Sequence, residues 1–141
     1  MRDKCMIVAE MSANHNGKKE TAIETVRAAK RAGADAVKLQ TYRADTITLR
    51  CDKPDFIINE GSIWDGQYFY DLYEQAYTPW EWHEELFHVA KEEGLICFSS
   101  PFDKTAVDML EALLHSGRRG QGIIFLASET RIGRAGLVCG Q

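Results

Sequence analysis

Three short apolar runs in this chain each break off in polar side chains directly ahead of a helix-like stretch, and that recurrence constrains the fold most. The first, Met6-Ile7-Val8-Ala9, ends on Glu10 and a polar loop, Ser12-Ala13-Asn14-His15-Asn16-Gly17. The second ends on Lys38-Leu39-Gln40 and the third on Ser99-Ser100. Short continuous apolar runs are how strands covered on both faces read. Residues 5–9, 36–40 and 95–99 are therefore expected as strands, with residues 5–9 buried.

Helical spacing fills the intervals. Residues 19–32 put Ala22, Ile23, Val26 and Ala29 on one stripe, and Gly33 follows where a helix C-terminal glycine belongs. Residues 67–77 carry Phe69, Leu72, Tyr73 and Ala76 at the same period. In Thr78-Pro79-Trp80-Glu81, Thr78 is expected to cap a further helix and Glu81 to complete a capping box. That helix runs to about residue 93 and stops at Gly94. Asp103 can cap the next one, with Val107, Leu110 and Leu114 as its apolar side. Residues 123–127 fit a fourth strand, with Ser128 near its end. The connection over 41–66 exceeds ordinary loop length and reads as functional.

Strand and helix in alternation mean parallel βαβ units with right-handed crossovers. A doubly wound open sheet and a (β/α)8 barrel both satisfy this, and both put active sites at the C-terminal strand ends. The glycine-rich nucleotide loops Gly-x-Gly-x-x-Gly and Gly-x-x-x-x-Gly-Lys do not occur, which argues against a nucleotide. The chain has 141 residues, enough for one domain with a core, and a net charge of −4 without a basic stripe. That charge pattern speaks against nucleic-acid or anionic-membrane partners. The longest apolar runs are too short to span a bilayer, and no signal sequence opens the chain, so a cytoplasmic location is expected. Cys5, Cys51, Cys97 and Cys139 are scattered without a Cys-x-x-Cys pair. A zinc site is not expected, and Cys5 and Cys97 read as small buried residues.

Period two puts Lys38 and Gln40 on one face of their strand and Val37 and Leu39 on the other. A lysine at a catalytic sheet end supplies a fixed charge for phosphate or carboxylate; an edge lysine reaching solvent is the plain alternative. Ser99 and Ser100 offer hydroxyls to phosphate oxygens, or serve only the entry into a helix. Glu10 fits a general acid or base, or a solvated strand-end carboxylate. Asn14 and His15 fit substrate orientation, or a loop bonded to its own backbone. Trp80 and Trp82 read as helix packing rather than a ligand platform. Clustered at three strand ends, these residues point to an enzyme acting on an anionic substrate.

Residues 9–17 (Ala-Glu-Met-Ser-Ala-Asn-His-Asn-Gly), Val37-Lys38-Leu39-Gln40-Thr41-Tyr42 and Phe98-Ser99-Ser100-Pro101-Phe102-Asp103 resemble the sialic-acid synthase family. Its pseudaminate branch is marked by Asp45-Thr46-Ile47-Thr48-Leu49, Asp52-Lys53-Pro54-Asp55-Phe56, Trp64-Asp65-Gly66 and Ala76-Tyr77-Thr78-Pro79-Trp80-Glu81-Trp82-His83. The resemblance implies a (β/α)8 TIM-barrel, of which residues 1–113 would supply the first three to four βα units. It implies condensation of phosphoenolpyruvate with an acetamido sugar, giving a nonulosonic acid and phosphate. The pseudaminate branch takes a 2,4-diacetamido-2,4,6-trideoxy-altrose; neuraminate or legionaminate synthesis is the neighbouring reading. It further implies a divalent metal, manganese or magnesium, and a homodimer. The family's metal-binding histidines have no counterpart in this chain.

By the same resemblance, Glu10 sits beside both reacting groups. Lys38 and Ser100, with Ser99, hold phosphoenolpyruvate. Gln40 faces the sugar or metal region, Asn14 and His15 shape the first loop, and residues 59–66, Asp65 included, meet the sugar. Beyond Leu113 the resemblance ends. Residues 114–141 are expected to be a divergent tail such as a shifted reading frame produces, and the family's C-terminal antifreeze-like domain has no counterpart. The chain alone is therefore expected to be inactive; a non-catalytic remnant, or a domain that binds a phosphorylated ligand, is the reading of another class.

Overall fold

The computed structural model describes residues 5–115 and 122–124. Four parallel strands lie side by side in chain order: β1 (Val8–Glu10), β2 (Ala36–Thr41), β3 (Ile96–Pro101) and β4 (Gly122–Ile124). Among the described strands the order contains no reversal, the feature that marks a doubly wound sheet. Between β1 and β2 runs α1 (Lys19–Arg31); α3 (Phe69–Ala76) and α4 (His83–Glu92) separate β2 from β3, and α5 (Lys104–His115) follows β3.

Each main helix forms for a readable reason. In α1, Ala22 and Val26 are buried, Glu20 lies in the first turn, and Lys30 and Arg31 lie in the last, matching the helix dipole. Gly33 at φ +90 and Gly94 at φ +67 take the left-handed conformation that ends α1 and α4. Lys30 Nζ donates to the Gly94 carbonyl (3.0 Å), tying the two helix ends together. The main buried cluster lies on one side of the sheet, while Ala36 and Phe98 are buried on the other. Val37, Leu39 and Cys97 meet Val26, Leu86, Val89, Ala90 and Leu110 from the helices. Burial pushes the Cys97 thiol up to about 12, so it behaves as an apolar group.

Four expectations change. The run of residues 5–8 is exposed, Cys5 included, because β1 is short and forms an edge of the described sheet; only Ala9 turns toward the core. The 41–66 connection is not one loop. It holds α2 (Ala44–Ile47), a 3-10 turn at Pro54–Phe56 and a bridge between Ile57 and Tyr68. Thr78 does not cap a helix: a 3-10 turn, Trp80–Trp82, precedes α4, and Thr78 is buried against His15. In α5 the fully buried positions are Ala106 and Leu110, with Val107 half-buried. The side chain of Leu114, Ser128, Cys139 and the rest of the predicted tail lie outside the described residues.

Asp103 caps α5 as expected. Its Oδ1 accepts from the Thr105 and Ala106 backbone N–H groups (2.7 and 3.2 Å) and from the Thr105 hydroxyl (2.6 Å). Burial raises this carboxyl, but hydrogen bonds from Thr105, Thr46 and Ala106 outweigh it and hold it below its ordinary range. Asp103→Ala is expected to cost about 1 kcal/mol at neutral pH. A depressed carboxyl contributes above its unfolded value of 3.8 and loses that contribution as pH falls through the lower folded value. Urea unfolding of both proteins should therefore differ at pH 7, and the difference should shrink as pH falls through the lowered folded value.

Candidate active site

Alternation along the strands sorts the candidate residues onto two faces. In register, Glu10 pairs with Lys38, Lys38 with Phe98, and Gln40 with Ser100. Glu10, Lys38, Gln40 and Ser100 thus share the face turned away from the helices, at the C-terminal ends of three adjacent strands. Lys38 Nζ lies 2.5 Å from Glu10 Oε2, with the two side chains 34% and 36% exposed. An ion pair this open contributes at most about 1 kcal/mol to the fold. Its chemical value is larger: an ammonium beside a carboxylate, next to a hydroxyl and an amide, offers an anion site and a proton-transfer group within one patch.

Ser99 does not join this patch, which corrects its expected role in holding substrate. It registers with Leu39, faces the helices and is fully buried. Its Oγ lies 2.6 Å from Thr41 Oγ1. His15 is likewise fully buried. Its Nδ1 accepts the Gly17 N–H (3.1 Å), its Nε2 lies 3.4 Å from Thr78 Oγ1, and its ring meets Trp82 edge-on at 5.4 Å. Burial lowers its pKa, partly countered by a hydrogen bond to the Ala76 backbone. It shapes the loop after β1 from within. Asn14 Nδ2 donates to the Met11 carbonyl (3.0 Å) in the same loop. Ser12 and Asn16, at φ +48 and +50, bend that loop through the left-handed region, which is costly for residues with a Cβ.

Asp65 sits on the connection ahead of α3, and its own turn occupies it. The carboxylate accepts from the backbone N–H groups of Ser62, Gly61 and Glu60 (3.0, 3.0 and 3.2 Å) and from the Ser62 hydroxyl (3.1 Å). These bonds, the Ser62 N–H first, hold it below the usual carboxylate range. The two tryptophans serve packing, as expected: Trp82 against His15, and Trp80 by donating to the Tyr42 carbonyl (3.2 Å) under the Arg43 guanidinium.

Sequence reasoning missed Thr41 and His83, both fully buried and 2.8 Å apart (Oγ1 to Nε2). A signal was present. Period two puts Thr41 on the Leu39 side, and a histidine among Leu86, Val89 and Ala90 needs a polar partner. Burial lowers the His83 pKa from 6.5 to about 4. The unfolded chain then binds more protons between those values, so this contribution is complete above pH 6.5 and is lost as pH falls toward 4. The full interval corresponds to about 3 kcal/mol. The native chain is expected to lose that much between pH 7 and pH 4, whereas His83→Gln should lose much less. Chemical denaturation across this range measures the difference.

Among the described residues, no three His, Cys, Asp or Glu side chains come together as a metal centre, and Glu10 is engaged by Lys38. These residues do not fit the divalent metal the resemblance implies, and no step here runs through one. No helix among the described residues is long and apolar enough to cross a membrane.

The NeuB family model matches residues 25–116. The chain belongs to the NeuB family. Pseudaminic acid synthases are among the relatives of this NeuB-family chain. One from Campylobacter jejuni serotype O:2 is 54% identical over 108 residues, covering 77% of this chain and 31% of the relative. One from Helicobacter pylori is 50% identical over 107 residues, covering 76% and 31%. The N,N'-diacetyllegionaminic acid synthase of Legionella pneumophila is 36% identical over 110 residues, covering 77% and 30%. The NeuB-family chain thus spans about a third of the length of the curated relatives it matches. Among solved structures, the N-acetylneuraminic acid synthetase of Leptospira borgpetersenii shares the fold. Its TM-score is 0.61 at 22% identity, covering 79% of this chain and 34% of that one. The spore coat polysaccharide biosynthesis protein SpsE of Bacillus subtilis aligns with TM-score 0.55 at 29% identity, covering 79% and 28%.

Proposed function

We propose that this chain carries the phosphoenolpyruvate-binding arc of a pseudaminate-forming nonulosonic acid synthase. The observation that carries the reading is the Glu10–Lys38 pair with Gln40 and Ser100 on the uncovered face, at the C-terminal ends of three adjacent parallel strands. Identity of 50–54% to pseudaminic acid synthases supports the choice of branch. In this reading the sheet is the opening arc of a (β/α)8 barrel and the uncovered face is its interior. The sequential strand order, with the main buried cluster on one side, supports that geometry.

The overall reaction joins carbon 3 of phosphoenolpyruvate to the aldehyde of the open-chain sugar. Water adds at carbon 2, and phosphate leaves with C–O cleavage. Lys38 holds the anionic end of phosphoenolpyruvate, and the Ser100 hydroxyl donates to one of its oxygens. Gln40 presents its amide to the sugar. Glu10, freed from Lys38 when the anion binds, stabilises positive charge developing at carbon 2 and takes the proton of the attacking water. In a full-length version, Glu10→Gln is expected to lower kcat by about 100-fold while shifting stability by less than about 1 kcal/mol; steady-state kinetics and urea unfolding check the two halves.

A chimera tests the reading, with residues 1–113 joined to the remaining two-thirds of the Campylobacter jejuni relative. It should release phosphate from phosphoenolpyruvate with the diacetamido-trideoxy-altrose, whereas the 141-residue chain alone should not. Release with N-acetylmannosamine instead would move the assignment to neuraminate synthesis. Binding without release in the chimera would leave a phosphorylated-ligand domain.

A further inference from the structure

Behind the uncovered face, three buried polar side chains meet: Thr41 at the end of β2, Ser99 on β3 and His83 at the start of α4. Thr41 Oγ1 lies 2.8 Å from His83 Nε2 and 2.6 Å from Ser99 Oγ, and His83 Nδ1 lies 3.2 Å from the Pro79 carbonyl. One order of hydrogens satisfies all three contacts. A carbonyl only accepts, so Nδ1 carries the proton. Burial keeps the ring neutral near pH 7, leaving Nε2 a bare acceptor for the Thr41 hydroxyl. Thr41 then accepts from Ser99. The order is Ser99 O–H to Thr41, Thr41 O–H to Nε2, and Nδ1–H to Pro79.

The placement gives this chain of bonds its purpose. Thr41 directly follows Gln40, and Ser99 directly precedes Ser100. The backbone ladder pairs β2 with β3 out to Thr41 and Pro101, and the side-chain bonds add a directional tie beside it that non-directional apolar packing does not supply. The same turn also holds the loop after β1, through Thr78 against His15 (3.4 Å). Thr41 thus bonds directly to His83, Ser99 reaches it through Thr41, and the loop after β1 meets the same turn at Thr78.

We propose that Ser99, Thr41 and His83 form a positioning relay that sets the direction of Gln40 and Ser100 on the opposite face, and with it the affinity for a phosphorylated carboxylate. The ligand class rests on the proposed function; the relay itself does not. The test uses the ¹⁵N-labelled 141-residue chain and phosphoenolpyruvate as probe. Long-range ¹H–¹⁵N correlation of the His83 ring should show Nδ1 protonated and Nε2 bare. Thr41→Val and His83→Leu should displace the Gln40 side-chain amide and Ser100 backbone amide signals and weaken phosphoenolpyruvate binding by about tenfold. His83→Gln, which keeps an acceptor for Thr41, should recover most of both.

A His83 ring protonated on Nε2, or charged at pH 7, would overturn the relay. So would Gln40 and Ser100 signals that stay in place in both variants. Should Thr41→Val fail to fold, the ring tautomer and the comparison of His83→Gln with His83→Leu still decide. The expected tautomer and displacements without phosphoenolpyruvate binding would support the relay and count against the proposed ligand instead.

Discussion

Replacing Lys38 by alanine is expected to lower kcat/KM for phosphoenolpyruvate by about 100-fold in the chimera, most of it through KM. Lys38 is the cation on the patch formed with Glu10, Gln40 and Ser100, and it reaches Glu10 at 2.5 Å. Removing it takes away the group that attracts the anion and leaves the Glu10 carboxylate to repel it. A lost charge contact to a bound anion costs about 2–5 kcal/mol when the site is closed. The fold should not suffer comparably, because the pair is about one-third exposed on both sides. Lys38→Arg should recover only part of the loss, since a planar fork does not replace a compact ammonium at fixed backbone position. Isothermal titration on the chimera separates binding from turnover. A change under about threefold would remove Lys38 from the site.

Leu39→Ala is the second large effect. Leu39 lies between Lys38 and Gln40, points to the opposite side and is completely buried among Val26, Leu86 and Leu110. Truncation leaves a cavity where helices and sheet meet, and such changes cost about 3–4 kcal/mol. Total stability for a domain this size is about 5–15 kcal/mol, so a large share disappears with one side chain. The urea midpoint should fall at unchanged slope. Val8→Ser, on the exposed stretch of β1, should change stability by less than about 0.5 kcal/mol. If Leu39→Ala and Val8→Ser behaved alike, the core would not lie where the structure puts it.

Much of the architecture was legible because local rules act within one element. The glycines at 33 and 94 end their helices, Asp103 caps α5, and period two keeps Lys38 and Gln40 together. What failed depends on neighbours distant in sequence. The face taken by Ser99 follows from β3 running on to Pro101 in register with β2, so that Ser100, not Ser99, meets Gln40. Thr78 looked like a helix cap because its flanking residues fit one; instead it faces a histidine 63 residues earlier. The apolar residues 5–8 promised burial, but their strand forms an edge of the described sheet. His15 read as a substrate-orienting or backbone-bonded loop residue and His83 was passed over; packing by Trp82 and the apolar positions of α4 makes both internal.

The central claim is that the uncovered face at Glu10, Lys38, Gln40 and Ser100 binds the anionic substrate. The most direct measurement is titration of the ¹⁵N-labelled chain with phosphoenolpyruvate, followed residue by residue. Saturable shifts should centre on Lys38, Gln40, Ser100 and the loop after Glu10, and should vanish in Lys38→Ala. No saturable shift at these residues, or shifts confined to Arg50 beside Asp71 and Glu74, would contradict it.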